Sequence, residues 1–311
     1  MARTFLLALG TALWLVAGCH SAPPPPDAPP VIPSAATAPN APPAAGNAVA
    51  VPEVTTLPDP PFLWGVTTGG HQVEGDNADS AWWEWEKLPG KIRGNTASGK
   101  AADHWNLFRQ DVALLAELGV NACRVTIEWS RVEPRPGEWD CAALRHYREE
   151  VALLLKMGIT PVLNLHLFTF PAWVAEKGRW EWNELPERFA AFCRKVFLEV
   201  GPEVRYWIPL NEPTREIGGS YLEGRWPPQE KRDYAGLIPV MRGMFLAHAA
   251  TYRALKDEAR RSGREILVGM SHGIRHFAPA TSWDPMDNLA ANAADGLWNW
   301  CTMEALETGE F

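Results

Sequence analysis

Four polar side chains able to transfer protons or to form hydrogen bonds follow short apolar runs of the sequence: Gln72, Glu128, His166 and Glu212. Glu212, in the triplet Asn211-Glu212-Pro213, is the candidate proton donor, because a carboxyl acts as a general acid when its surroundings keep it protonated. Each of the four, taken alone, also fits a capping or loop residue. Their recurrence at the ends of four runs favours a common site.

A regular alternation of strand and helix patterns from residue 62 onward would position these side chains. Apolar, β-branched or aromatic runs predict strands at residues 62–68, 122–129, 160–168, 206–212 and 265–272. Helical spacing predicts helices at residues 105–118, 141–156, 187–200, 238–262 and 287–307, the first with Asp103 as N-cap and Gly119 as its stop. Alternating strands and helices predict an α/β fold with a parallel sheet, whose strands end at one shared rim.

Six motifs in order resemble those of one enzyme family. They are FLWGVTTGGHQVEG at 62–75, RVTIEWSR at 124–131, LHLFTFP with Trp173 at 165–173, WIPLNEP at 207–213, YLEG at 221–224 and Ala247-His248. Together they resemble glycoside hydrolase family 1, the β-glucosidase and β-galactosidase family, over about residues 62–311. The resemblance implies a (β/α)8 TIM barrel, of which the chain would form the N-terminal five-eighths.

The same resemblance implies a role for each candidate residue in a retaining β-glycosidase that hydrolyses terminal β-linked sugars. Glu212 would be the general acid and base, and Asn211 would hydrogen-bond the sugar 2-hydroxyl. Gln72 would bind hydroxyls on the far side of the ring, and Arg124 would lie beneath the site. Arg124 also fits a structural ion pair. The implied substrates are small β-glycosides or oligosaccharides, with no cofactor and no metal.

One departure from the family pattern concerns the third motif. The family places a sugar-binding His directly before an aromatic residue, and that position here is Leu167, with His166 one residue earlier. A shift of one residue along a strand points a side chain to the opposite face. Either the strand end is irregular and His166 still reaches the sugar, or that hydrogen bond is absent; the second reading is favoured.

A second departure concerns the other carboxylate. Retaining glycosidases need two carboxyl groups about 5 to 5.5 Å apart, and the resemblance places the nucleophile in a Glu-Asn-Gly context on the seventh strand. No Glu-Asn-Gly occurs in the sequence. We therefore expect a barrel truncated after about five βα units, without its nucleophile and with little or no hydrolytic activity of its own. Glu128 is the substitute nucleophile that the strand ends offer.

Two other readings remain open at this point. The chain could be a tethered, non-catalytic glycan-binding or structural protein derived from the same family, a reading that Leu167 fits. Alternatively, the missing units could come from a separate polypeptide. Five strands cannot close an eight-stranded barrel, so either reading requires a partner or an open sheet with two unpaired edges.

The first 61 residues differ in composition from the rest. Residues 1–19 have the charge and apolar run of a secretory signal and end in a lipobox-like LVAGC, which predicts that Cys19 becomes a lipid-bearing N-terminus. A plain signal peptide that happens to contain a Cys is the alternative. Residues 20–61 hold fourteen of the 28 prolines and predict a disordered tether. The expected location is the bacterial envelope, with membrane contact through the lipid anchor only.

Composition narrows the function further. A net charge of −8 and a pI of about 5.6 argue against a nucleic-acid partner. Export would permit disulfides among the remaining cysteines, but their spacing pairs none of them, and buried free thiols are the equal alternative. These cysteines are Cys123, Cys141, Cys193 and Cys301.

Overall fold

The computed structural model describes residues 62–201 and 203–309. The predicted signal peptide at 1–19, with the lipidation site Cys19, and the predicted tether at 20–61 lie outside the described residues. They therefore stay predictions. The predicted barrel region, 62–311, is described almost entirely.

Within this part of the chain the backbone forms a five-stranded, all-parallel sheet in sequence order. The strands are β1 Gly65–Thr67, β2 Ala122–Thr126, β3 Thr160–Asn164, β4 Tyr206–Ile208 and β5 Leu267–Val268. The predicted parallel sheet is confirmed, and each strand lies within its predicted run. Every strand stops before its predicted end, although single backbone hydrogen bonds continue the pairing past that point, as from the Ile127 N–H to the Asn164 oxygen at 2.9 Å. The last residues of each run carry the rim side chains.

Helices connect the strands and cover the sheet. The α-helices among the described residues are α1 Gly70–Val73, α2 Ala81–Glu86, α3 His104–Leu118, α4 Trp129–Val132, α5 Cys141–Lys156, α6 Ala172–Glu176, α7 Leu185–Glu199, α8 Pro213–Ile217, α9 Tyr234–Arg261, α10 Pro285–Asp295 and α11 Cys301–Thr308. Short 3-10 turns lie at Arg93–Asn95 and Arg179–Glu181. Two π-helical turns follow α8 and α10, at Gly218–Leu222 and Gly296–Trp300. The predicted long helix at 287–307 is therefore interrupted by a π-turn.

The ends of α3 test the predicted capping residues. Gly119 ends the helix in the left-handed conformation at φ 75°, as predicted. Asp103 precedes the helix, but it is itself left-handed and its side chain caps no backbone N–H. Its carboxylate accepts a hydrogen bond from the side chain of Asn106 instead. Asp103 therefore occupies the predicted N-cap position, but its side chain does not cap the helix.

The core lies between the sheet and the outer helices. Trp129 stacks on Phe192 of α7 with ring centroids 5.2 Å apart, and Trp207 of β4 packs against Phe197. Burying such large side chains stabilises the fold by roughly 1.5–3 kcal/mol each. In α9, a Cβ on Gly243 would lie 1.7 Å from the backbone oxygen of Trp180. This glycine lets the longest helix approach the turn before α7.

The structure of residues 62–201 and 203–309 shows the state of four cysteines and whether any helix there could span a membrane. Cys123 and Cys193 are buried thiols, and Cys141 and Cys301 are free as well. The second of the two cysteine readings, free thiols, is the one that the structure shows. No helix described there combines the length and the apolar character needed to cross a bilayer.

A buried histidine joins α3 to α5 on the outside of the sheet. His104 Nδ1 lies 2.6 Å from Asp111 Oδ2, and its Nε2 lies 3.1 Å from Glu150 Oε1. Burial lowers the pKa of His104, but the hydrogen bonds and charges of Glu150 and Asp111 outweigh it and raise that pKa to about 9. The imidazolium therefore holds two carboxylates from different helices.

This clamp predicts a pH-dependent stability. The folded-state pKa of His104 lies above its ordinary value, so its contribution is complete below about pH 6.5 and is lost as pH rises through about 9. We expect the free energy of unfolding to fall by roughly 2 kcal/mol across that window, after allowance for solvent screening. Urea unfolding at a series of pH values measures it. His104→Gln should flatten the profile, and His276→Gln, at an exposed position, should leave it unchanged.

Candidate active site

The rim of the sheet continues beyond the strands themselves. Asn211 N–H donates to the His166 oxygen at 3.0 Å, and Leu165 N–H donates to Ile208 at 2.9 Å. Asn211 also forms a parallel bridge with Ser271, beyond the end of β5. The segments after β3, β4 and β5 are therefore held in register, and their side chains are presented at one edge.

Glu212 has a constrained backbone. Its φ is 45°, a left-handed conformation that is uncommon for a residue with a side chain and costs of order 1–3 kcal/mol. The Glu212 N–H donates to the Ser271 oxygen at 2.8 Å, and Pro213 follows as the first residue of α8, where its missing N–H is not needed. This reversal between strand and helix turns the carboxyl out of the ladder. Its side chain is 23% exposed.

Arg124 joins the elements around Glu212. From β2, its Nη1 donates to Asn211 Oδ1 at 2.7 Å and to Ser271 Oγ at 3.2 Å, and its Nε donates to Thr67 Oγ1 at 2.5 Å. Burial lowers the pKa of Arg124, while the carboxylate of Glu212 acts in the opposite direction. Arg124, Asn211 and Glu212 are thus brought together, and the cation lies close enough to influence the carboxylate.

Gln72 and Leu167 occupy the other side of the rim. Gln72 is exposed on the single turn α1, and Leu167 is half-buried at the end of the third motif. Both side chains approach Gly69, since a Cβ there would lie 2.7 Å from Gln72 Oε1 and 3.4 Å from Leu167 Cδ2. An apolar side chain therefore stands beside Gln72 at the position where the family resemblance implies a histidine.

His166 points the other way, into the core. It is 3% exposed, and its Nε2 lies 2.9 Å from Glu216 Oε2. The rings of Phe170 and Trp180 pack on it with centroids 4.7 Å away. The structure therefore does not place His166 at the site, because alternation along the strand sends it to the face opposite Leu167. The favoured reading, in which His166 does not reach the sugar, agrees with this arrangement.

Glu128 is also removed from the rim. Its carboxylate is 1% exposed and accepts three hydrogen bonds, from the N–H of His71, the amide of Asn77 and the hydroxyl of Thr169. The His71 donor lies in the short helix α1, and the other two donors lie in loops next to the rim. Glu128 therefore anchors these segments and is buried away from any substrate, which argues against its use as a substitute nucleophile.

Three residues that contribute to the site were not singled out from the sequence. Ser271 accepts from Arg124 and supplies the oxygen that fixes the Glu212 N–H. Gly273 faces the Glu212 carboxyl, and a Cβ there would lie 2.7 Å from Glu212 Oε1. Arg215, on α8, donates from Nη1 to Glu212 Oε2 at 3.2 Å. The strand-end position of Ser271 offered a signal, whereas the contacts of Gly273 and Arg215 with the Glu212 carboxyl emerge only in the folded chain.

Comparison with known proteins gives this arrangement a family. The model of glycosyl hydrolase family 1 matches residues 54–311. The chain belongs to this family. An aryl-phospho-beta-D-glucosidase of Bacillus subtilis is 33% identical over 247 residues, which cover 77% of this chain and 50% of that protein. Beta-glucosidase A of Thermotoga maritima is 30% identical over 226 residues, covering 71% and 50%.

Solved structures agree with the family. A beta-glycosidase from Pyrococcus horikoshii has a TM-score of 0.71 at 35% identity, covering 78% of this chain and 55% of that one. A beta-glucosidase from Thermotoga maritima, solved with castanospermine, has a TM-score of 0.76 at 27% identity, covering 83% and 58%. The fold is therefore that of the family's TIM barrels, as predicted. The chain spans about half the length of the curated relatives that it matches.

The buried network behind the rim yields a stability prediction. The carboxylate of Glu216 accepts hydrogen bonds from both His166 and Trp180 Nε1. Glu216→Leu leaves both donors buried and unsatisfied and should lower the free energy of unfolding by about 2–5 kcal/mol. Urea unfolding measures the loss. Glu216→Gln retains an acceptor and a donor and should cost less than half as much; equal losses for the two variants would contradict the role of these hydrogen bonds.

Proposed function

We propose that this family 1 protein hydrolyses terminal β-linked sugars and that Glu212 is its general acid and base. One observation carries the proposal: Glu212 is partly exposed at the rim while its backbone N–H is held by Ser271 and its carboxyl accepts from Arg215. A group that transfers a proton to a departing alcohol needs access to substrate and a fixed position. Glu128, the other strand-end carboxylate, is buried and lacks that access.

Asn211 supports the proposal through its orientation. Arg124 donates to the Asn211 carbonyl oxygen, so the amide NH2 faces away from the guanidinium. That NH2 is the group that would donate to a sugar hydroxyl. A hydrogen bond to the 2-hydroxyl strengthens as positive charge develops on the sugar ring in the transition state. Arg124 would thus act in two ways, by fixing the amide and by influencing the carboxylate.

The substrate class follows from the rim. Gln72 is exposed and offers both a donor and an acceptor to sugar hydroxyls. Leu167, beside it, offers neither, and a site that lacks one hydroxyl partner discriminates less between sugars that differ at that hydroxyl. We propose small β-glycosides or oligosaccharides as substrates, with relaxed selectivity on the side of the ring that Leu167 faces.

The second carboxylate of the retaining mechanism is proposed to lie outside residues 62–309. The family resemblance places it on the seventh strand, and the sheet described has five. The curated relatives are about twice as long as the part that this chain matches. On this proposal the 311 residues carry the acid/base half of the site, and their own turnover is slow or absent.

A chimera tests both halves of the proposal. Residues 62–311 are joined to the part of Thermotoga maritima beta-glucosidase A that the chain does not match. We expect hydrolysis of an aryl β-glucoside, with Glu212→Gln lowering kcat/KM by about 10²–10⁴-fold on an alkyl glucoside, whose leaving group needs protonation. The loss in kcat/KM on a dinitrophenyl glucoside should be much smaller, because kcat/KM reports the step that forms the glycosyl-enzyme and that leaving group departs without a proton.

Controls separate the outcomes. Glu223→Gln, at an exposed glutamate on the same connection, should leave kcat unchanged. Equal losses of activity on both substrates in Glu212→Gln would refute its role as the acid. Substantial turnover by residues 1–311 alone would refute the proposal that the second carboxylate lies outside the described residues. A folded chimera that binds sugar without hydrolysis would support the non-catalytic glycan-binding alternative.

We also propose that the protein is exported and anchored in the bacterial envelope by lipid on Cys19. The support is the sequence of residues 1–19, with its apolar run and LVAGC ending. Labelled palmitate should be incorporated into the wild-type protein, which should sediment with membranes. Cys19→Ala should lose the label completely and remain unprocessed, whereas Cys141→Ala should behave as wild type. Label on the Cys19→Ala protein would rule the anchor out.

A further inference from the structure

The segment after β5 lies directly against the proposed catalytic carboxyl. The oxygen of Ser271 accepts from the Glu212 N–H at 2.8 Å, and Gly273 faces the Glu212 side chain so closely that a Cβ would lie 2.7 Å from Oε1. The position of this segment therefore constrains both the backbone and the carboxyl of Glu212, whose Oε2 also accepts from Arg215 Nη1 at 3.2 Å. The segment is a loop without sheet hydrogen bonds beyond Ser271, so something else must hold it.

Asn299 holds one side of this loop. It is 5% exposed, in the π-turn Gly296–Trp300. Its Oδ1 accepts from the Arg275 N–H at 2.9 Å, and its Nδ2 donates to the Arg275 oxygen at 2.6 Å. Its backbone oxygen lies 3.1 Å from His272 Nε2. One buried amide side chain thus satisfies both backbone groups of a residue two positions from Gly273, as a neighbouring strand would.

Trp298 holds the other side. Its indole Nε1 donates to the Gly273 oxygen at 2.6 Å, and the Arg275 guanidinium lies 3.7 Å from the ring centroid. The opposite edge of the ring approaches Gly218, where a Cβ would lie 3.6 Å from Cζ3. Gly218 begins the other π-turn, directly after the helix that Glu212 starts. The indole therefore contacts both the loop after β5, at Gly273, and the turn after α8, at Gly218.

The π-turn explains how two adjacent residues serve the same loop. An extra residue in a helical turn rotates the following side chains relative to an α-helix, and such turns recur at functional sites. Here Trp298 and Asn299 both reach residues 272–275, while Trp300 donates to Asp295 on its own helix instead. The contacts of Trp298 and Asn299 converge on residues 272–275, whereas the hydrogen bonds from the start of α10 hold this connection further along, at Thr281 and Ser282.

We propose that Trp298 and Asn299 are positioning residues for Glu212: they set the loop 271–275, which in turn seats the carboxyl against Gly273. The expected effect on catalysis rests on the proposed function, whereas the expected effect on the position of Glu212 does not. A displacement of about 1 Å in a catalytic group costs on the order of 10²-fold in rate, so the effect on Glu212 should be large even though neither side chain touches substrate.

Hydrogen–deuterium exchange on the full chain tests the structural part without requiring turnover. In Trp298→Phe an aromatic ring remains, but the hydrogen bond to Gly273 is lost and the smaller ring reaches less far toward Gly218. We expect exchange about fivefold faster in peptides covering 210–217 and 271–276. Trp300→Phe is the matched control, since it loses one indole hydrogen bond on the same turn without touching the loop, and it should leave both peptides unchanged.

Asn299→Ala should accelerate the same two peptides by about tenfold or more, because both hydrogen bonds to Arg275 are lost, together with the one to Asp295. Asn288→Ala is its control: Asn288 Nδ2 donates to the oxygens of Ser282 and Asp284, also in this region, but contacts no residue of the loop. If Asn299→Ala fails to fold, Trp298→Phe decides. Unchanged exchange at 210–217 in the variant that folds overturns the proposal, even if 271–276 loosens.

Kinetics separate positioning from general damage. In the Thermotoga maritima chimera, Trp298→Phe should lower kcat/KM on an alkyl glucoside about 10-fold or more with KM nearly unchanged, and should change kcat/KM on a dinitrophenyl glucoside less than twofold. Equal losses on both substrates overturn the proposal, since they indicate a purely structural defect. A folded chimera without turnover counts against the proposed function alone, and the exchange measurement then decides the positioning role by itself.

Discussion

The guanidinium of Arg124 reaches from β2 to Thr67 at the end of β1, to Asn211 after β4 and to Ser271 after β5, and the geometry of the rim depends on these contacts. A cation withdrawn from water is costly unless its donors are satisfied. Arg124 is partly buried; burial lowers its pKa, and the charge of Glu212 acts in the opposite direction. Loss of any one acceptor would leave this charge less well compensated, so the contacts that stabilise the cation also hold the three segments together. The hydrogen bond that helps to compensate the charge of Arg124 therefore also fixes the position of Asn211.

The elements that sequence reasoning located well are those governed by local rules. The strand starts, α3 with its terminal glycine and α5 follow from apolar spacing and from glycine's tolerance of the left-handed conformation. Strand ends were placed too late because apolarity continues past the last ladder hydrogen bond. Trp129 illustrates the reason: it is as buried as any strand residue, but it begins a helix and packs on Phe192 from there. Burial alone does not distinguish a strand from the helix that follows it.

For the site, the period of two along a strand was the most informative rule. It separated His166 from Leu167, and the structure places the first in the core with Glu216 and the second at the rim near Gln72. The same rule could not show that Glu128 is buried, because its loop partners Asn77 and Thr169 come from distant parts of the chain. Gly273 and Asn299 were equally inaccessible, since their importance arises from contacts that no local pattern encodes.

The groups that hold Glu212, the proposed acid and base, come from several elements of the described part of the chain. The Ser271 oxygen accepts from its N–H, Gly273 lies against its carboxyl, and Arg215 Nη1, from α8, donates to its Oε2 at 3.2 Å. The left-handed backbone of Glu212 is stabilised by the Ser271 oxygen and followed by a proline suited to a helix start, so its strain is offset locally. A retaining mechanism then demands only that a second carboxylate be brought to about 5 Å from a group already in place. The precision of that approach depends on the loop that seats Glu212, and therefore on the two π-turn residues behind it.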